Sequence, residues 1–172
     1  MDIRLVILII FSFIFEIFFL SKDLRFKENP ISIKDVEVEF INSKTYDISS
    51  DRISNLLVTQ KIEQSKNKKI FYNPVATMYD NNITKTIISK KATLFDKTNI
   101  IKLENSVKIV YLDKQLSTDM IEYDLTNKTV TDSDKFTLKS NSFIANGNHL
   151  YFDTKHNIIK SKDIKYIFYE RE

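Results

Sequence analysis

Ala92-Thr-Leu-Phe-Asp96-Lys-Thr-Asn99, Ile121-Glu-Tyr-Asp124-Leu-Thr-Asn127 and Leu150-Tyr-Phe-Asp153-Thr-Lys-His-Asn157 are three versions of one pattern, and that pattern decides the fold. Each runs from apolar residues into an aspartate and closes on an asparagine. The aspartates fall 28 and 29 residues apart (96 to 124, 124 to 153). An alternating apolar pair follows each one 11 to 14 residues later: Val107/Ile109, Phe136/Leu138 and Ile164/Tyr166. A repeat of this length is one supersecondary unit that cannot bury its apolar face alone, so neighbouring units must stack. Alternation of apolar and polar residues is the period of a strand. The repeats therefore predict an elongated all-β sheath with an apolar interior.

Working towards the N-terminus, the same period persists. Asp35-Val-Glu-Val-Glu-Phe-Ile puts Val36, Val38 and Phe40 on one face and acids on the other. Tyr46 and Ile48 are expected to continue that face after a polar turn at Asn42-Ser43-Lys44. Asp51 to Lys69 is less patterned: Ile53, Leu56, Leu57 and Val58 precede a charged run from Gln60. It reads as a strand leading into a charged loop, with a short helix as the other choice. Ile70-Phe-Tyr72, Ala76-Thr-Met-Tyr79 and Thr84-Lys-Thr-Ile-Ile88 are short segments bounded by Asn, Asp or Lys, the spacing of a sandwich, barrel or jelly roll. Asp and Asn cap their own backbone in turns and tolerate positive φ, which accounts for the repeated aspartates without a metal.

Ile3 to Leu20 is almost wholly apolar, broken after Leu5 only by Ser12 and Glu16. As a helix it spans roughly 27 Å, close to the hydrocarbon thickness of a bilayer. The run closes on Phe18-Phe-Leu-Ser-Lys22, without the small residues a signal peptidase requires, so an uncleaved anchor is expected over residues 1–22. Residues 23–34 form a connector, and 35–172 the β domain. Glu16 either pairs with another helix, or reaches the interface or is protonated. The cations Lys22, Arg25 and Lys27 follow the helix, but a long following domain is translocated largely regardless of such counts.

Composition excludes several activities. The 172-residue chain has 1 Gly, 2 Pro, 0 Cys and 0 Trp, but 13 Phe and 8 Tyr. One glycine does not build a phosphate-binding loop. Without cysteine there is no disulfide, thiol nucleophile or thiolate zinc site. A net charge of +3 with interspersed Lys and acids gives no nucleic-acid stripe. The two histidines, His149 and His156, stand in no metal-ligand spacing, and no Gly-x-Ser-x-Gly is present. Glu122 and Asp124 alternate along a strand rather than forming a catalytic pair. No enzymatic role, cofactor or metal is expected. Asp80-Asn-Asn82-Ile-Thr84 is similar to an extended bacterial N-glycosylation acceptor.

One apolar N-terminal segment followed by about 150 residues of short strands, with Leu116-Ser-Thr118-Asp119-Met120, Tyr123-Asp124, Val130-Thr131, Phe136-Thr-Leu138, Ala145-Asn-Gly147, Leu150, Asp153, Ile159 and Ile164-Lys-Tyr166, resembles the LptC family. LptC proteins are the membrane-anchored periplasmic components of lipopolysaccharide export, related to LptA and to the OstA-type domain. The resemblance covers the anchor and Ala92 to Phe168; Asp51 to Lys69 departs from it. It implies a twisted, half-open β jelly roll whose lumen holds acyl chains, without bond chemistry. It implies an edge strand at each end, one for an inner-membrane ABC transporter and one for an LptA-like periplasmic bridge. On this chain those edges are Val36, Val38 and Phe40, and Ile164, Tyr166 and Phe168. The orientation implied is N-terminus cytoplasmic, β domain periplasmic. A family glycine falls where Gly147 stands, consistent with close backbone approach. The lumen residues are then Val38, Phe40, Leu94, Val107, Ile109, Met120, Phe136, Leu138, Phe143, Ala145 and Tyr166. The same residues equally describe a dry sandwich core, as in a membrane-tethered scaffold with no lipid channel.

Overall fold

The computed structural model describes residues 36–49, 52–80, 83–132, 135–153, 155–156 and 158–169. The expected anchor with Glu16, the connector, and Asn81 and Asn82 of the acceptor sequence lie outside them. Twelve strands make up the described chain: β1 (Val38–Ser49), β2 (Arg52–Ser65), β3 (Lys68–Tyr72), β4 (Val75–Asp80), β5 (Ile83–Ile88), β6 (Lys91–Phe95), β7 (Ile100–Tyr111), β8 (Lys114–Asp124), β9 (Thr129–Thr131), β10 (Lys135–Lys139), β11 (Phe143–Asp153) and β12 (Ile158–Phe168). All pair antiparallel in one sheet. The fold is all-β, and among the described residues no helix is long and apolar enough to cross a membrane.

Strand length organises the sheet. β2, β7, β8 and β11 are long, and each uses a different partner in each half. The C-terminal half of β2 bonds β3, which leads through β6 to the start of β7. The N-terminal half of β2 bonds β4, which leads through β5 to the end of β7. Beyond β8 the division repeats, with β9 on one side and β10 on the other before both meet β11. The sheet thus splits into two tracks that share their long strands. Each track buries one face, and both contribute to a single apolar cluster, so the tracks lie on each other.

The long strands must bend where they cross between tracks. Left-handed residues mark these crossings: Asn42 in β1, Asn105 and Ser106 in β7, His149 in β11 and Asp163 in β12, with φ between 52° and 63°. Asn, Asp and His enter this region at lower cost than other side chains, which lets a chain with one glycine crease repeatedly. Register shifts fall at the same places on β7 and β11, as expected of bulges.

Two expectations need correction. Asn42-Ser43-Lys44 is no turn: β1 continues through it, and the crease at Asn42 switches which side chains face inward. Tyr46 and Ile48 consequently do not continue the face of Val38 and Phe40. Opposite Leu56 and Ile53, they are exposed. The charged run from Gln60 is no loop either. It is the second half of β2, and its chain reverses only at Lys66-Asn67. The strand expected over Asp51 to Lys69 is present.

Candidate functional site

Cross-strand pairing converts sequence alternation into continuous apolar rows. On the inner face of the second track, the row runs Leu57, Ala76, Ile87, Ile109, Leu116, Leu138, Ala145 and Tyr166 over eight strands. On the first track, Leu94, Ile101, Tyr123, Val130 and Phe152 form one row, and Phe40, Ile62, Phe71, Ala92, Leu103 and Ile121 a second. Burial of a large apolar side chain stabilises by about 1.5–3 kcal/mol, so these rows are the main force closing the two tracks.

The residues named from sequence take several positions. Leu94, Val107, Ile109, Phe136, Leu138 and Ala145 are buried together in the shared cluster. Val38, Phe40 and Phe143 are half-buried at the ends of the rows. Tyr166 faces inward opposite Ala145 but is 45% exposed. Met120 departs from the set. It pairs with Glu104, which carries the ion pairs of the outer face, so Met120 points outward. It lines an outer crevice of about 360 Å³ with Glu122, Thr131, Asp132, His149, Leu150 and Tyr151. The inward alternation changes phase between Thr118 and Ile121, a shift sequence spacing alone did not show.

Gly147 faces the ring of Phe136. A Cβ there would lie 2.7 Å from Phe136 Cζ, 2.8 Å from its Cε1 and 3.0 Å from Ser161 Oγ. Its φ is not positive, so the missing side chain, not backbone freedom, is what the position requires. The row Val107, Thr118, Phe136, Gly147 therefore ends in a flat seat for an aromatic ring.

Inner-face residues that sequence reasoning did not single out include Leu57, Ala76, Ile87 and the polar groups beside them. Alternation of Ala76 with Met78 was the available signal. Thr118 donates to the buried Asp132 carboxylate at 2.6 Å, where the chain leaves β9 for β10. Near β1 the inner face turns polar: Asn55 donates to Asp47 at 3.2 Å, and among the described residues the buried Asn55 Oδ1 and Thr59 Oγ1 have no hydrogen-bond partner.

Electrostatics separate the two outer faces. On the first track, Lys61 bridges Glu39 at 3.0 Å and Glu63 at 2.7 Å, Lys91 meets Glu104 at 3.2 Å, and Lys102 meets Glu104 at 3.1 Å. The bonds from Lys61 and then Tyr72 hold the Glu63 carboxyl below the usual range. Burial opposes ionisation of Glu104, and the bonds from Lys102 and Lys91 outweigh it. The repeated aspartates are turn formers. Asp124 Oδ1 accepts the N–H groups of Thr126 and Asn127 at 2.8 and 2.9 Å, and Asp153 Oδ1 accepts those of Lys155 and His156 at 3.0 Å. His156 Nδ1 lies 2.8 Å from the other Asp153 oxygen. The Asp96 side chain takes no such part; Asn99, with φ 54°, closes that turn.

At the ends, β1 pairs only with β2 and β12 only with β11, leaving both outer edges open among the described residues. Phe168 stands 6.2 Å from Phe143 and stacks on Tyr166 at 6.2 Å, forming an aromatic shelf on the last edge. The family model for lipopolysaccharide assembly, LptC-related, matches residues 5–162. No curated protein matches the chain.

Proposed function

Because this chain belongs to the LptC-related family of lipopolysaccharide assembly, we propose that it is a non-enzymatic transfer component of lipopolysaccharide export. It takes lipopolysaccharide from an inner-membrane ABC transporter and hands it to an LptA-like periplasmic bridge. The observation that carries this reading is a pair of continuous apolar inner faces that end in unpaired edge strands. In this reading the fold is a twisted, half-open jelly roll, and the acyl chains enter between the tracks. They replace contacts that Leu94, Val107, Ile109, Phe136, Leu138 and Ala145 otherwise make with one another.

The physical gain is shelter. Each CH₂ exposed to water costs about 0.8 kcal/mol, so a covered apolar path keeps an amphiphile from being stranded. Energy for direction comes from ATP hydrolysis in the transporter. Val38 and Phe40 guard one end of the path; Phe143, Tyr166 and Phe168 guard the other. An open strand edge recruits a further strand through its free backbone groups. The β1 edge, with Val36, Val38 and Phe40, then receives the transporter, and the β12 edge, with Ile164, Tyr166 and Phe168, the bridge. Residues 1–22 anchor the domain with the N-terminus in the cytoplasm and residues 35–172 in the periplasm, joined by 23–34.

Purification of the full chain from its native membranes in mild detergent, with mass spectrometry of proteins and lipids, tests this. Recovery of transporter subunits with lipopolysaccharide is expected. Recovery of neither contradicts it. One observation favours a second reading, a tethered scaffold without a lipid path: the six central residues pack on one another at 6% exposure or less. Under that reading the transporter co-purifies and the lipid does not.

A further inference from the structure

Among the described residues, two rows on the outer face of the second track carry lysines, apolar groups and threonines with no acid among them. Lys44, Val58, Val75, Ile88 and Lys108 form one row over β1, β2, β4, β5 and β7. The next row on the same face is Tyr46, Leu56, Thr77, Thr86 and Val110. The contrast with the first track is sharp, since there Glu39, Glu63, Glu104 and Glu122 each have a lysine within 4 Å. Lys44 and Lys108 are both exposed, and among the described residues neither takes part in an ion pair. Tyr46 and Ile88 are 49% and 38% exposed, large apolar surface that a solvated face has no need of.

We propose that this face is a docking surface for an anionic lipid bilayer, with Lys44 and Lys108 at the phosphate level and Tyr46, Val58, Val75 and Ile88 against the interface. Charge complementarity identifies the occupant: a positive, acid-free rim around apolar side chains with tyrosine at the margin matches the headgroup boundary of an anionic leaflet. Five adjacent strands set about 4.8 Å apart make a patch about 19 Å wide. Position agrees. β1 is the first described strand after the apolar segment read as the anchor, and the seventeen intervening residues (21–37) reach at most about 60 Å when extended. The proposal rests on that anchor only for the proximity it supplies. The consequence is orientation: with this face on the bilayer, the charged outer face of the first track turns towards water.

The chain has no cysteine, so a single introduced one reports a single place. The full chain carrying Ile88→Cys, and separately Thr131→Cys on the other outer face, is labelled with an environment-sensitive fluorophore. Each is assembled into nanodiscs of phosphatidylcholine alone or with phosphatidylglycerol. The expected result is a lipid-like signal at position 88 in the anionic discs only, and a water-like signal at 131 in both. Lys44→Gln with Lys108→Gln weakens the docked state about 25-fold, since each lysine at such a surface contributes about a factor of five. A water-like signal at 88 in anionic discs, or a lipid-like one indifferent to the lysines, overturns the proposal. Failure of the anchor is seen separately, as chain eluting apart from the phosphatidylcholine discs. The label then still reports whether the patch alone holds the protein to anionic ones. A signal at 88 that appears only when a co-purified protein is bound assigns the face to a protein instead, and also overturns the proposal.

Discussion

At the residue scale, the single glycine is the position whose chemistry is most tightly fixed. Phe136 occupies the space a Cβ at 147 would take, and Phe136 and Gly147 face each other across β10 and β11. Gly147→Ala is therefore expected to destabilise the domain by about 1–3 kcal/mol, the range for overpacking a close-packed core. Phe136→Leu in the same chain should recover part of the loss, because the clash is with the ring tip. Denaturant unfolding of the two single variants and the double variant measures this; strictly additive losses would refute the contact. Sequence marked the glycine as a place of close approach but not what approached it. The partner lies eleven residues away on another strand, and only register brings the two together. Met120 shows the opposite case. Its apolar character placed it inward, yet a change of phase within β8 turned it out, and nothing in residue type announces such a shift.

Among elements, strand existence and type were legible because β-branched and aromatic residues alternate almost throughout. Bending was not. Asn42 looked like a turn residue, yet it creases a twelve-residue strand, and the same residue type closes a turn at Asn99. Left-handed φ serves both purposes, and only the partner strand decides which. The turns themselves form a rim: Lys66-Asn67, Asp96 to Asn99 and Leu125 to Lys128 are tied by Asp96 N–H to Asn67 O at 3.0 Å and Leu125 N–H to Asn99 O at 2.9 Å. Asp124 anchors one of them. Burial works against its ionisation, but the bonds from Asn127 and Thr126 outweigh that and hold the carboxyl below its ordinary value of 3.8. A folded-state value below the unfolded one means the stabilisation is complete above about pH 4 and fades as pH falls through the folded value. Asp124→Asn should accordingly be less stable than the parent near neutrality, with the gap closing in acid. Urea midpoints across that range check it; a gap unchanged at about pH 2 would rule out the carboxylate as its source.

Over the whole molecule, repetition in sequence became repetition in architecture. Val107/Ile109 and Phe136/Leu138 lie in the buried cluster, while Ile164 and Tyr166 stay exposed on β12, which among the described strands pairs only with β11. What made the core legible was alternation; what hid its state was that alternation is identical whether the two faces clasp each other or an acyl chain. The central rows are in mutual contact, so lipid passage requires the tracks to part. On that proposal, parting would begin at the ends, half-buried and aromatic, where there is least apolar contact to break. Family membership identifies the process the chain serves, and in the function proposed above the rows are where a lipid would lie.

The most direct test places a photo-crosslinking amino acid at Phe143, inside one end of the path, and at Met120, on the outer face. Each full chain is irradiated in native membranes while the transporter hydrolyses ATP. Lipid entering between the tracks gives a lipopolysaccharide adduct at 143 that depends on hydrolysis, and none at 120. Absence of an adduct at 143, or equal labelling at both positions, would contradict passage between the inner faces.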